Sequence, residues 1–323
     1  MELGKIGGGA GKTFPKRHKM KKIFIIILNY NGFDDTAKCL QTLYLLKNKS
    51  YILKTVIVDN GSSQVQLNKL KKFLDDFTDI ELIENGKNLG FAKGNNNGIR
   101  YALNHQADFI LLLNNDTKIE MNFLKKLLFL AAPISSPVVK FREFRDKPKL
   151  IYDLGGYVNW TTGRTTHLNA YAGERKLFQD KEFIEVDYVA GCCMLVKEEV
   201  FQKIGLLDEK YFIYFEDVDF CVTAKRQGFR VIVDPKSIVY HKLGGSMDRW
   251  SKRAIFHNLF SNFIFITKHL EWRIFFGYAY LFFLTAKIVR DRIAENLLPY
   301  INRSFNTKGR RKWKGAPHNF HAK

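Results

Sequence analysis

The chain has 323 residues, 46% apolar and 26% charged, which excludes a disordered or collagen-like chain and suits one large domain or two modest ones. Its four cysteines lack a C-x-x-C spacing, which excludes a disulfide scaffold and a zinc site built of cysteines and points to a reducing, cytosolic compartment. The net charge of +20 is uneven: residues 1–22 carry +6, residues 241–323 carry +12 and the body between them +2, so two basic ends stand ready for polyanions such as nucleic acid or an anionic membrane surface.

Residues 1–22 read as a flexible basic leader. Gly11-Lys12-Thr13 imitates a phosphate loop, but Ile6 stands where its first glycine belongs and no strand precedes it. The basic stretch before residue 23 imitates a signal peptide. The apolar run 23–28 is only six residues long, and Asn29-Tyr30-Asn31 takes the place of a cleavage site. That run is predicted as a buried strand.

Further apolar runs follow at 56–58, 80–83 and 109–113. Helical spacing lies between them, in Cys39, Leu40, Leu43, Leu46 and in Leu67, Leu70, Phe73, Leu74. Such alternation predicts an α/β fold with a mainly parallel sheet covered by helices on both faces. Ligands bind such sheets beyond the carboxyl ends of the strands. Polar clusters stand there three times: Asn29-Tyr30-Asn31-Gly32, Asp59-Asn60-Gly61-Ser62-Ser63 and Asn114-Asn115-Asp116-Thr117. Together they predict one shared site.

Asp59 suits a hydrogen bond from a base N–H or a ribose hydroxyl, or else an Asx turn capping the next helix. The segment from Asn88 to Gly98 holds Gly90, Gly94, Gly98 and four asparagines where they cost helix propensity. Glycine permits close backbone approach, helix amides favour anions, and Lys93 adds a charge for phosphate. Asp116, at a strand tip, offers hard oxygen to Mg²⁺ or Mn²⁺.

Residues 133–190 carry no helical stripe and are expected to be extended segments and loops facing an acceptor. Then Glu216, Asp217 and Asp219 follow the aromatic run 211–215. Acids suit a helix's first turn, and an aromatic approach also desolvates a carboxylate toward a useful base. A helix over 216–227, a stop at Gly228 and a strand over 229–233 are expected. His241 follows the strand-like run 237–240 and, with Asp116, completes a metal-ligand pair. The apolar run 274–286 has thirteen residues, short of the ~20 that span a bilayer. With its basic flanks it reads as an interfacial helix, or else as packing for the domain or for a second subunit in a homodimer.

In combination these segments resemble the family 2 glycosyltransferases of the GT-A fold, especially bacterial rhamnosyltransferase-like enzymes. The resemblance covers about residues 23–246 and rests on Ile-Leu-Asn-Tyr-Asn-Gly, Val-Asp-Asn-Gly-Ser-Ser, Asn-Leu-Gly-Phe-Ala-Lys-Gly-Asn-Asn-Asn-Gly-Ile, Leu-Leu-Asn-Asn-Asp-Thr, Gly-Cys-Cys-Met and Phe-Glu-Asp-Val-Asp-Phe. It implies a catalytic domain over 23–246 and a basic helical extension over 247–323. It implies inverting transfer from a nucleotide-diphosphate sugar (dTDP-rhamnose or a UDP-sugar) to a saccharide or lipid-linked acceptor at the inner face of the cytoplasmic membrane. In that pattern Asp59 contacts the base, Asp116 and His241 hold Mg²⁺ or Mn²⁺, and Asp217 is the catalytic base. Asn29, Asn31, Asn88, Gly90, Lys93, Asn114 and Asn115 are then expected around the donor, and Glu216 and Asp219 on the acceptor side. Asn114 departs from the pattern, since many members carry a first carboxylate there. Two other classes remain: a sugar-phosphate nucleotidyltransferase, which lacks its Gly-rich, Arg-containing loop after the first strand, and a polyanion-binding protein, which needs none of the central acids. No specific nucleic-acid partner is expected.

Overall fold

The computed structural model describes residues 20–44, 46, 50–141, 151–168, 180–242 and 251–305. The leader with its glycines, the glycines after His241 and the tail from residue 306 lie outside the described residues. The chain divides into two compact units. One runs to Val158 and resumes over Thr165–Ser261; the other comprises Asn159–Arg164 and the residues from Asn262 on.

The first unit opens as the apolar runs predict: β1 (Lys21–Asn29), α1 (Phe33–Tyr44), β2 (Tyr51–Asp59), α2 (Gln64–Leu74), β3 (Ile80–Glu84), α3 (Phe91–Asn104) and β4 (Phe109–Asn114). Strands β1 to β4 run parallel in the order β4-β1-β2-β3. Period-two alternation splits β1 between two layers. Ile23, Ile25 and Ile27 join Leu40, Leu43, Leu111 and Leu113 in one core, while Ile26 and Leu28 face α3. There α3 presents Gly98 to Ile26 and Val58, and Gly94 to Leu28. These glycines let the helix lie close on the sheet.

Beyond β4 come β5 (Thr117–Ile119), α4 (Phe123–Leu130), β6 (Ile134–Phe141), β7 (Ile151–Asp153), β8 (Gly156–Val158), β9 (Thr165–His167), β10 (Ile184–Glu185), β11 (Cys193–Lys197), α5 (Glu198–Ile204), α6 (Glu216–Arg226) and β12 (Val231–His241). The sheet continues as β10-β12-β6-β11 beside β4, with β11 antiparallel to both neighbours. The sequence predicts two strands on either side of Pro235; the structure joins them into β12 across a bulge between Asp234 and Ile238. Pro137 of β6 stands opposite Asp234 there, and a proline that cannot donate to the ladder favours such a break. Gly228 ends the turn after α6 at φ +84°.

In the other unit, α7 (Lys252–His269) enters with its last turns and is followed by α8 (Ile274–Phe305). Gly277 of α8 sits against Ile266 and Leu270, and Phe263 stacks on Tyr278. The sequence reading of thirteen apolar residues falls short here. The helix persists through the interspersed Lys287 and Arg290, and Glu271–Arg292 forms a 22-residue stretch long and apolar enough to cross a membrane.

A Cβ at residue 98 would lie 2.5 Å from Ile26 Cγ2 and 3.0 Å from Val58 Cγ2, both atoms of the buried sheet. Gly98→Ala is therefore expected to destabilise the protein by about 1–3 kcal/mol despite its better helix propensity, read as a lower urea midpoint.

Candidate active site

The register places Asn29 beside Asp59 and Leu28 beside Asn114, so the three polar clusters do share one sheet edge. Two of them are largely engaged with themselves. Asn29 is fully buried; its Nδ2 donates to Asp59 Oδ2 (2.8 Å) and Ser62 Oγ (3.2 Å), and its Oδ1 accepts from Thr36 Oγ1 (2.8 Å). Asp59 Oδ1 accepts from the amides of Gly61 (3.2 Å) and Ser62 (2.9 Å), and Oδ2 also accepts from Ser62 Oγ (2.6 Å). Four donors fill a carboxylate. Of the two readings of Asp59, the Asx turn is the one its hydrogen bonds describe. Asn31, at φ +52°, donates its amide to Ser62 Oγ (2.8 Å) and accepts from the Ser63 amide (2.8 Å), and it is exposed at the mouth.

The polar groups of the segment from Asn88 to Gly98 are spent largely on neighbouring loops. Asn60 Nδ2 donates to Asn88 Oδ1 and Gly90 O (both 3.1 Å), and its Oδ1 accepts from Leu89 N and Asn85 Nδ2 (both 3.1 Å). Gly90 has φ +83°, and its backbone meets the chain at Phe212, whose carbonyl accepts from Phe91 N (2.6 Å). Asn96 grips Leu207 through both its amide and carbonyl and reaches Glu209. Lys93 is half exposed and pairs with the same Glu209 (3.3 Å), as does Arg100 (2.7 Å). These polar residues moor the loop that leads into α6.

The third cluster carries a chemical pair. Asn115 is turned back onto Thr36 Oγ1 (3.0 Å) and Gly32 O (3.3 Å). Pairing of β5 with β12 sets His241 opposite Thr117, and His241 Nε2 lies 2.8 Å from Asp116 Oδ1 and 3.2 Å from Asn114 Nδ2. Asp116 and His241 are both buried. Burial alone would raise the Asp116 pKa, but the hydrogen bond and charge of His241 outweigh it and hold the carboxyl below its ordinary value. A carboxylate, an imidazole and a carboxamide form a donor set that fits Mn²⁺ or Mg²⁺ when diphosphate and water complete the shell. No group of three or more His, Cys, Asp or Glu side chains with metal-binding placement occurs among the described residues.

Helix α6 begins after two consecutive left-handed residues, Tyr214 (φ +71°) and Phe215 (φ +66°), a strained entry of the kind that fixes side chains at functional sites. Asp217 Oδ2 accepts from the Gly191 amide (2.7 Å) and Oδ1 from the Val218 amide (2.8 Å). Gly191 precedes Cys192, whose carbonyl accepts from the Asn114 amide (2.9 Å). Asp217 is thereby tied to the end of β4. Burial raises its pKa, partly offset by those two amides. Glu216 is more deeply buried, with no partner for Oε2; burial and then repulsion by Asp217 push it well above its ordinary value. Asp219, expected toward an acceptor, is instead buried and bound by the Tyr211 hydroxyl (3.1 Å).

Asp153 and His167 were not legible as site residues. They lie in the stretch read as extended segments and loops, in no recognisable motif. Their ion pair (2.7 Å) adjoins Asp217, and burial plus the charges of Asp153, Asp116 and Asp217 together raise the Cys192 thiol. Those three carboxylates converge on one place.

The model of glycosyl transferase family 2 matches residues 24–205, more than half of the chain. The chain belongs to this family. It is 30% identical over 210 residues to the low-salt glycan biosynthesis hexosyltransferase Agl10 of Haloferax volcanii, covering 64% of this chain and 62% of that one. It therefore spans less than two thirds of that relative's length. It is 23% identical over 274 residues to the N-acetylglucosaminyl-diphospho-decaprenol L-rhamnosyltransferase of Mycobacterium tuberculosis, covering 77% and 85%. Among solved structures, the mannosyltransferase PcManGT from Pyrobaculum calidifontis, in complex with GDP-Man and Mn²⁺, shares 16% identity at a TM-score of 0.56, covering 92% and 86%. That likeness supports the GT-A fold expected of a family 2 glycosyltransferase.

The raised Glu216 has a consequence for stability. A group whose pKa is raised by folding stabilises the native state below its unfolded pKa, and that contribution is lost as pH rises through the folded value. Glu216→Gln keeps the shape without the charge. The variant is expected to match wild type in melting temperature near pH 4 and to exceed it at pH 8, measured by thermal unfolding across pH.

Proposed function

We propose that this family 2 member is an inverting glycosyltransferase that moves a sugar from a nucleotide-diphosphate donor, dTDP-rhamnose or a UDP-sugar, to a saccharide or lipid-linked acceptor in surface-glycan synthesis. The observation that carries this reading is the pairing of Asp116 with His241 beside an Asp217 pinned to the same strand end. The Haloferax and Mycobacterium relatives, named as glycan-building transferases, support it.

In this reading Asp217 accepts the proton of an acceptor hydroxyl while that oxygen bonds to the anomeric carbon and the bond from carbon to diphosphate oxygen breaks. Its raised pKa suits a base, and one-step inversion needs no protein nucleophile. The buried Cys193 and Cys221 thiols have raised pKa values, which leaves them poor nucleophiles. Asp116 and His241 hold a divalent cation, with Asn114 beside them; bound there, the cation supplies positive charge to the donor diphosphate. Lys93 adds a half-exposed cation on the donor side. Asn29, Asp59, Asn88, Gly90 and Asn115 act by shaping the loops that line the donor. Burial, which raises the Glu216 pKa, limits the negative charge beside Asp217.

Helix α8 and the basic ends are assigned to the inner face of the cytoplasmic membrane, where a lipid-linked acceptor resides. Its exposed Phe275, Phe276, Phe282 and Phe283 give apolar area, and Arg273 and Arg290 flank them.

A screen of nucleotide sugars for protection against thermal unfolding, with and without Mn²⁺, tests the donor class. Asp217→Asn retains shape but cannot take a proton, so donor protection should stay near wild type while turnover falls ~10²–10⁴-fold. Asp116→Ala should weaken Mn²⁺-dependent binding of nucleoside diphosphate more than binding of the nucleoside. Transfer by Asp217→Asn at more than half the normal rate would remove that residue from the role, and equal losses for both ligands in Asp116→Ala would remove the metal bridge.

A further inference from the structure

Asp153 ends β7 and is fully buried. Its Oδ1 accepts from His167 Nδ1 (2.7 Å) and its Oδ2 from the Ala190 amide (3.2 Å). The next amide along the chain, that of Gly191, is the one that holds Asp217 Oδ2. Two carboxylates therefore hang from consecutive peptide N–H groups. Like charges so placed in a poorly solvated site repel, and each drives a proton onto the other.

His167 answers that repulsion, and the fold goes to some length to place it. Strands β8 and β9 form a hairpin in which Gly156 pairs with His167. A Cβ at Gly156 would meet the Tyr188 ring at 2.3 Å, so the hairpin lies on that ring only because the residue is glycine. Tyr188 in turn holds the His167 ring edge-on at 5.6 Å. The imidazole is thus oriented from one side by an aromatic ring and from another by a buried carboxylate, while 39% of its side chain stays exposed.

We propose that His167 is a positioning residue for Asp217: paired with Asp153, it cancels the charge beside the base and keeps Asp217 ionised and ready to take the acceptor proton. The proposal rests on the reading of Asp217 as the base. The groups set against Asp217 are Asp153 from β7, His167 from β9, the thiols of Cys192 and Cys221, and Glu216 and Asp219 on its own helix. Of these, His167 is the group that becomes positive when protonated. After burial and the two amides, its charge lowers the Asp217 pKa and that of Asp153 raises it. Removing the imidazole should leave the geometry of Asp217 on Gly191 intact but raise the pH at which the base ionises.

The test uses the full chain labelled with aspartate carrying ¹³C at Cγ. The resonance that disappears in Asp217→Asn identifies the base, and its titration is followed without any substrate. In His167→Gln that titration should move to higher pH. In the double variant Asp153→Asn, His167→Gln, which removes both charges, it should move back toward wild type. Release of nucleoside diphosphate from dTDP-rhamnose gives the second readout. His167→Gln should lose roughly 3–10-fold in turnover at pH 6, with the loss shrinking as pH rises to 8, since one unit of displacement is tenfold in the ionised fraction. An Asp217 resonance that titrates identically in wild type and His167→Gln would overturn the proposal. So would a loss of turnover equal at every pH. Full turnover by Asp217→Asn would sink the base assignment instead, while the titration would still decide whether the two carboxylates are coupled through His167.

Discussion

Strand β11 runs against β4, and the chemistry of the catalytic domain depends on that reversal. A parallel strand in this place would deliver its carboxyl end to the site and send its beginning to the far edge of the sheet. The antiparallel one brings its first residues there, so that Cys192 O meets Asn114 N and Gly191 N is left to hold Asp217. Asp217, in the first turn of a helix more than a hundred residues after β4, is thereby registered to the strand tip from which Asp116 extends. The backbone hydrogen bond that continues the ladder also sets the spacing between the proposed metal ligand and the proposed base. A hydrogen bond of this kind, between backbone groups of two buried strands, tolerates changes of side chain on either side of it.

The second constraint is amide bookkeeping at the sheet edge. Asn60 uses both donors and both acceptor positions of its side chain, and Asp59 fills four acceptor positions. A buried polar group costs its desolvation whether or not it is paired, so full pairing turns that cost into a specific loop conformation. The loop after β2 and the entry to α3 are fixed in this way by polar contacts. Rigidity at the mouth follows, and a site proposed to hold a diphosphate in one place benefits from it.

The apolar strands and the site edge were legible in the sequence because β1, β2 and β4 are buried on both faces and read as unbroken runs. The acids of α6 were legible because three carboxylates in four residues stand out against an aromatic approach. β6 was not: Ile-Ser-Ser-Pro-Val-Val-Lys-Phe is buried throughout, yet its serines and proline break every periodic pattern. Nor was the duty of the glycines in α3. Sequence shows that glycine is present but not what approaches it, and Ile26, Val58 and Phe212 come from strands and a loop far away in the chain. Asp153 and His167 escaped for the same reason. They are fourteen residues apart in a stretch without periodicity, and only the hairpin β8–β9 and Tyr188 bring them together.

Two aspartates at one strand end are driven in opposite directions by their surroundings. Burial acts on both and alone would raise both. Asp116 has an imidazole 2.8 Å away, whose hydrogen bond and charge outweigh burial and hold the carboxyl below its ordinary value. Asp217 has neutral amides at its oxygens and other acids around it, so burial prevails and its affinity for a proton rises. Environments that push two like groups apart in pKa separate a permanent charge from a proton acceptor. In a glycosyl transfer those two duties fall on opposite ends of the reacting bond: negative charge gathers on the leaving diphosphate, and a proton must leave the attacking hydroxyl. In the proposed reading both duties fall to the same residue type, and the partner of each aspartate separates them.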